Sequence, residues 1–251
     1  MSRFASHPPM GYTFPAREQR GAMAFTHIVF DLDETLYPRD AGLMQEIGRR
    51  ITLWVQQSLG LTAEEANSLR RSYLRRYGTT LGGLIAEQQV DVDHYLAFVH
   101  DVPVERYIQP HPALAAMLDS LPLRKAIFTN ATSEHARRVL RALGVADRFE
   151  QVVGIRELDL CNKPDPKTYR RLLALLDARA EDCILVEDRA VNLRPGKRMG
   201  MTTVLVDGVS EEGVDFVVEY VLEVGPLVTR LLGRGRYGWR LPPGLGGMRG
   251  G

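Results

Sequence analysis

The sequence predicts an α/β fold: a doubly wound parallel sheet with a helical cap domain inserted after its first strand. Three observations carry this. From Ala113 to Leu232, short apolar β-branched runs alternate with amphipathic stretches, the rhythm of strand–helix units that build a sheet covered on both faces. Residues 40–100 instead show helical spacing and no strand run. The third is the pair of aspartates, Asp31 and Asp33, that closes the first strand run, because ligands of such sheets bind at the carboxyl ends of the strands.

Taken in order, residues 1–22 hold Pro8, Pro9, Gly11, Pro15 and Gly21 and no apolar run long enough for a signal peptide or membrane span. They are expected to be a disordered leader, with Met23 an alternative translation start. Thr26–Phe30 is apolar and β-branched and reads as a buried strand. Side chains alternate along a strand, so Asp31 and Asp33 can share one side while Leu32 turns into the core.

Residues 39–107 form the expected cap. Leu43, Ile47, Ile51, Trp54 and Val55 recur at helical spacing, as do Ala66, Leu69, Tyr73 and Tyr77. The run Gly78-Thr-Thr-Leu-Gly-Gly83 interrupts the pattern, and Asp91–His100 resumes it. Trp54, Tyr73 and Tyr95 are read as the core of this small bundle. The segment is well placed to lie over the strand-end acids as a lid.

The catalytic core is expected to comprise residues 23–38 and 108–232. Helices are expected at 113–121, 133–143, 167–177, 190–199 and 220–232, the second capped by Ser133 and stopped by Gly144. Strands are expected at 124–129, 151–154, 183–188 and 202–206. Residues 233–251 hold eight glycines, four arginines and no acid, too little apolar surface to order themselves. Arg-Gly runs can bind RNA, but this one is short and reads as a solvated tail.

The chain has 251 residues, 45% of them apolar, which suits one large domain or one with an insertion. A formal charge of +1 gives no electrostatic reason to expect a nucleic-acid or membrane partner. Cys161 and Cys183 sit in unrelated contexts without metal-ligand or disulfide spacing, so a reducing cytoplasm is the expected location.

Four polar features fall at predicted strand ends or loops on one rim: Asp31/Asp33, Thr129-Asn130, Lys163, and Glu187-Asp188. Singly, each has a structural explanation: a turn, a solvated lysine loop, or acids at a helix N-terminus. Together they supply hard-cation ligands, a hydroxyl and an amide for oxygen atoms, and a lysine counter-charge, the parts of a phosphate site.

At this point the sequence resembles the haloacid dehalogenase-like superfamily, whose core is Rossmann-like. Phe30-Asp-Leu-Asp-Glu-Thr-Leu-Tyr-Pro38 is similar to its first motif, Phe128-Thr-Asn to its second, Lys163-Pro to its third and Val186-Glu-Asp to its fourth. Within it, the likeness is greatest to the pyrimidine 5′-nucleotidase group, through Asp31-x-Asp-x-Thr-Leu-Tyr37, Ser72–Leu84, and Phe128-Thr-Asn-Ala with His135-Ala. Glu187 stands where that group more often has aspartate; the glutamate form occurs in sugar-phosphate phosphatases and mutases.

The resemblance implies a phosphomonoesterase with Asp31 as nucleophile and Asp33 as general acid/base. It implies Mg²⁺ held by Asp31, the Asp33 carbonyl and Asp188, with Glu187 acting through water, and Thr129, Lys163 and Asn130 on the phosphoryl oxygens. The expected substrate is a small phosphorylated metabolite: a pyrimidine nucleoside 5′-monophosphate, or alternatively a sugar phosphate or phosphoglycolate. A non-catalytic binding protein on this scaffold is the contrasting reading, disfavoured because Asp31, Asp33, Lys163 and Asp188 are all present. Specificity would rest with the cap, where Tyr77, Thr79 and Thr80 are the candidates for reading a base or ribose and the glycines of Gly78–Gly83 would let backbone approach the ligand. The competing reading places Tyr77 in the bundle core and makes Gly78 a helix C-cap.

Overall fold

In the computed structural model of the protein the described residues are 25–233. The expected leader and nearly all of the tail lie outside them. Among these residues six strands form one parallel sheet: β1 (His27–Phe30), β2 (Arg124–Phe128), β3 (Gln151–Val153), β4 (Cys183–Glu187), β5 (Thr202–Val206) and β6 (Phe216–Val218). Their order is β3-β2-β1-β4-β5-β6. The chain winds outward from β1 through β2 to β3, then crosses to β4 and winds the other way. The crevice at this switch point opens at the carboxyl ends of β1 and β4.

The strands are apolar on both faces, so each face must be covered by helices. Ile28 and Phe30 of β1, with Ile127, Ile184 and Val186, pack against α5 (Pro112–Ser120), α6 (Ser133–Leu143) and α9 (Val224–Leu231). Val29, Phe128 and Leu185 point to the opposite face, against Tyr169 and Leu172 of α7 (Pro166–Leu176) and Leu193 of α8 (Ala190–Met199). Two separate apolar clusters thus sandwich the sheet, and the doubly wound fold follows from the strand alternation.

Between β1 and α5 stand α1 (Leu43–Leu59), α2 (Ala63–Tyr77), α3 (Thr80–Glu87) and α4 (Val92–His100). They share a third apolar cluster that contains Trp54, Tyr73 and Tyr95. The α2 start is a reciprocal capping box: Glu65 N–H donates to Thr62 Oγ1, and Thr62 N–H donates to Glu65 Oε2 at 2.9 Å.

Four local expectations are corrected. The interruption expected at Gly78–Gly83 is the capped start of α3: Thr79 Oγ1 accepts from Gly82 N–H at 2.9 Å, which satisfies an otherwise orphaned donor. The α6 N-cap is Thr132, not Ser133; Thr132 Oγ1 accepts from His135 N–H at 3.2 Å. The last helix begins at Val224 rather than Tyr220, because a 3-10 turn spans Val221–Glu223. β6 was not expected; its three residues are too few to display a period.

Candidate active site

β1 carries the first acid to the switch point. Its register continues one residue past the strand, where Asp31 N–H donates to the Val186 carbonyl at 2.8 Å. Leu32 turns fully into the core, and Glu34 follows in the left-handed region at φ 61°, so the chain folds back over the strand end. The Thr35 hydroxyl reaches back to donate to Asp31 Oδ2 at 3.2 Å, and Tyr37 donates to Asp33 Oδ1 at 2.6 Å.

Lys163 is the hub. Its side chain is 2% exposed, and Nζ donates to Asp31 Oδ1 at 2.6 Å, Glu187 Oε2 at 2.7 Å and the Phe128 carbonyl at 2.8 Å. All three ammonium protons have acceptors, which is what makes a buried lysine tolerable. Burial opposes its charge, but Asp31 and Glu187 together outweigh burial and hold its proton more tightly than usual.

The acids are shifted the other way. Burial, then the Glu187 charge, raises Asp31 to about 6; burial, then Asp31, raises Asp33 to about 7. Burial also raises Glu187 and Asp188. Crowded, buried carboxylates hold their protons to higher pH than usual, the condition under which one can keep a proton while another is ionised.

Carboxylate oxygens of Asp31, Glu187 and Asp188 all lie within 4.8 Å of one another. Hard oxygen donors in this number, outnumbering the cations beside them, suit Mg²⁺. The Asp33 carboxylate stands outside this cluster, engaged with Tyr37.

Thr129 follows β2; its hydroxyl accepts from Ala131 N–H at 3.0 Å and keeps its own proton to donate. Asn130 lines the crevice, but its amide is engaged elsewhere: Oδ1 accepts from Lys163 N–H at 2.8 Å and Nδ2 donates to the Lys163 carbonyl at 3.3 Å. Its amide thus clamps the lysine loop while one Nδ2 proton is left without a partner among the described residues.

The acids open on a cavity of about 420 Å³ between core and cap, lined by Asp31, Asp33, Thr129, Lys163, Thr79 and Thr80 among others. The cap candidates are not brought together. Tyr77 does not line this cavity; its hydroxyl donates to Glu87 at 2.6 Å and its ring meets Tyr73 edge-on. Thr79 lines it, but its hydroxyl caps α3 and donates to Asn162 Oδ1 at 3.0 Å. Thr80 is buried against the cavity with no side-chain partner among the described residues.

Three contacts here were not anticipated. Arg39, where the cap begins, donates to Asp188 Oδ2 at 2.7 Å. Asn162 joins cap to core, because its Nδ2 donates to the Tyr77 carbonyl at 2.9 Å while Oδ1 receives Thr79. Gly78 and Gly82 serve this junction, where a Cβ would lie 2.8 Å from Asn162 Nδ2 and 2.6 Å from Asn162 Oδ1; Gly83 serves packing within the cap, where a Cβ would lie 2.1 Å from the Tyr73 ring. Only the asparagine's place beside Lys163 hinted at any of this.

His100, on the cavity wall, stacks on His135 with ring centroids 4.6 Å apart. Neither His135 ring nitrogen has a partner among the described residues, and burial depresses His100 to about 4 and His135 to about 3. An unfolded histidine titrates near 6.5, so below that pH the unfolded chain binds protons that the native pair refuses. Stability therefore falls as pH drops from about 6.5 toward 4. His135→Phe, which keeps a flat ring, is expected to flatten this dependence in urea midpoints measured from pH 7 to pH 5. An unchanged slope would show that the pair does not carry it.

The haloacid dehalogenase-like hydrolase profile matches residues 25–200, and the chain belongs to that family. The chain is similar to Phosphate metabolism protein 8 of Saccharomyces cerevisiae, 31% identical over 70% of this chain and 60% of that protein. It is also similar to a phosphoglycolate phosphatase of Rhodospirillum rubrum, 33% identical over 41% of this chain and 44% of that enzyme. The chain thus spans less than two thirds of either relative's length. In fold it resembles a HAD phosphatase from Thermococcus onnurineus, with TM-score 0.58 and 18% identity over 81% of this chain and 98% of that one. No helix among the described residues is long and apolar enough to cross a membrane.

Proposed function

We propose that the protein is a Mg²⁺-dependent phosphomonoesterase that acts through an aspartyl-phosphate on Asp31. The observation that carries this reading is the buried junction of Asp31, Lys163 and Glu187, with Asp188 beside it, at the carboxyl end of the sheet. In this reading Asp31 attacks phosphorus as the ester oxygen leaves, splitting one displacement into two easier ones. Asp33 protonates the leaving alkoxide and then takes the proton of the attacking water. Lys163 and the Thr129 hydroxyl face the phosphoryl oxygens and oppose the charge that develops on them. Asp31, Asp188, the Asp33 carbonyl and, through water, Glu187 would hold Mg²⁺, which when bound neutralises phosphoryl charge.

The distinct position of Asp33, bonded to Tyr37 and outside the acid cluster, supports an acid/base role and excludes redundancy with Asp31. A dehalogenase has no leaving alkoxide and so no need of that acid. Asp33→Asn is expected to accept a phosphoryl group from p-nitrophenyl phosphate yet hydrolyse the intermediate slowly, giving a burst. On esters with poor leaving groups the loss should reach ~10²–10⁴-fold. Equal losses on both kinds of ester, with no trapped intermediate, would make Asp33 structural.

The sequence resemblance points to a pyrimidine nucleoside 5′-monophosphate as substrate. Against it, Tyr77 is turned away and the Thr79 hydroxyl is engaged, which leaves Thr80 as the free hydroxyl of that group. A small phosphorylated acid or sugar phosphate is the second reading, favoured by an uncompensated cation on the cap side of the cavity. Cys161 and Cys183 are unpaired, in keeping with a cytoplasmic enzyme, and a nucleic-acid partner is not expected. A phosphate-release screen across nucleotides, sugar phosphates and phosphorylated acids, with and without Mg²⁺, tests the reading; no release from any would overturn it.

A further inference from the structure

The cap contributes one permanent charge to the cavity without neutralising it. Three arginines line the space: Arg39, Arg70 and Arg189. Arg39 is paired with Asp188, and Arg189 is exposed, so water solvates its charge. Arg70 of α2 is half-buried: its guanidinium has no ion-pair partner among the described residues, and only part of it can reach water. Its Nη1 donates to the Thr52 hydroxyl and, at 3.5 Å, to Asn67 Oδ1, both neutral acceptors. Its Nε is buried with no partner, and among the described residues no carboxylate lies within ion-pair distance of the guanidinium.

Burial accordingly disfavours its charge, and nothing nearby but the Tyr95 hydroxyl offsets this. A guanidinium cannot escape by losing its proton. Its surroundings are also built to hold it: the one Thr52 hydroxyl proton has two acceptors within reach, the Gly48 carbonyl at 3.1 Å and Asn67 Oδ1 at 3.0 Å, and a Cβ on Gly48 would lie 3.4 Å from Nη2. The head group is thus positioned by neutral hydrogen bonds on one edge, with Nη2 left unbonded. Around it the cap wall is apolar, with Ile47, Ile51, Leu74 and Leu96. A desolvated cation in an apolar wall binds an anion far better than it binds a neutral oxygen.

We propose that Arg70 is the specificity-determining residue of this site, binding a second anionic group, a carboxylate or a further phosphate, on the part of the substrate that leaves. This rests on the phosphomonoesterase reading and narrows it: the preferred substrates are small phosphomonoesters with two separated negative groups. Lys163 and the acid cluster take the phosphate that is cleaved, and Arg70 takes the other end. Nucleoside monophosphates carry no second anion and do not satisfy the arginine.

The test compares kcat/KM on one three-carbon frame: glycerol 3-phosphate, 3-phosphoglycerate and glycerol 1,3-bisphosphate, with UMP and p-nitrophenyl phosphate alongside. The wild-type protein should favour one or both doubly charged esters over glycerol 3-phosphate. Which one it favours identifies the second group as carboxylate or phosphate. In Arg70→Gln that ratio should fall by about ten- to a hundredfold, the scale of a lost hydrogen bond to a charged group, mostly through KM. Arg70→Lys, which restores charge without the planar fork, should recover part of it; a purely structural arginine would not produce that pattern.

A ratio unchanged in Arg70→Gln, a ratio that instead collapses in Arg189→Gln, or a wild-type preference for UMP or glycerol 3-phosphate would each overturn the proposal. The wild-type preference decides even if Arg70→Gln does not fold. Hydrolysis of p-nitrophenyl phosphate without selectivity removes this inference alone, whereas no hydrolysis of any ester removes the phosphatase reading and this one with it.

Discussion

Asp31→Asn is expected to lower phosphate release by roughly 10⁴-fold or more, the scale on which covalent catalysis is lost with its nucleophile. The substitution keeps the shape of the side chain and can retain hydrogen bonds to Lys163 and Thr35, so the crevice should keep its form. It removes the attacking anion and one oxygen of the acid cluster at once. Folding should survive. The native site already disfavours ionisation of Asp31, through burial and the Glu187 charge, so a neutral isostere relieves a cost at neutral pH. The thermal midpoint should therefore be unchanged or raised. Release measured on p-nitrophenyl phosphate with Mg²⁺ checks the first part and a melting curve the second. Turnover near the wild-type rate would sink the mechanism outright.

The reach of sequence reasoning into this protein follows the range of the forces involved. β1 and its acids were legible because burial on two faces demands a continuous apolar run, and the two-residue spacing of Asp31 and Asp33 is local. Lys163 was legible as part of a pattern, but its bonds to partners 132 and 24 residues away are a property of the sheet order. Arg39 and Asp188 are 149 residues apart, and nothing in either neighbourhood announces the pair. β6 is held by its place at the sheet edge beside β5, not by any periodicity of its own.

The Gly78–Gly83 stretch shows why composition alone misleads in the cap. Glycines permit close approach, and the sequence reading assigned that approach to a ligand. In the fold the missing side chains admit Asn162 of the core at Gly78 and Gly82 and the Tyr73 ring of the cap at Gly83, so the glycines dock cap on core and helix on helix. The approach was legible; its partner was not. Arg70 is the complementary case. On the sequence it is one of several arginines on a helix; among the described residues it is the half-buried one of them that lines the cavity and has no acid partner, a distinction that exists only in three dimensions.

Lys163→Met should produce the largest loss of stability of any single change at the site. Methionine keeps the length and apolar stem, including packing near the Phe128 ring, where Nζ lies 5.0 Å from the centroid. What disappears is the charge that Asp31 and Glu187 share. Removing the one cation that two buried acids share leaves both uncompensated and costs roughly 3–5 kcal/mol, whereas loss of Asp31 leaves the lysine paired with Glu187. The pH dependence separates this from a packing defect. Asp31 and Glu187 are already raised above their unfolded values with the lysine present, and without it they are raised further. A carboxyl whose native pKa exceeds its unfolded value binds more protons when folded, so its contribution to stability improves as pH falls through that native pKa. The deficit of Lys163→Met relative to wild type should therefore be greatest near pH 8 and shrink toward pH 6, where Asp31 takes up its proton. Added Mg²⁺ should shrink it at constant pH, because acids freed of the lysine bind the cation more tightly than the lysine-paired acids of wild type and so gain more stability from it. Urea midpoints at pH 6, 7 and 8, with and without Mg²⁺, give the comparison. A deficit constant across all of them would mean that the lysine contributes shape rather than charge, and the electrostatic account of the site would fall with it.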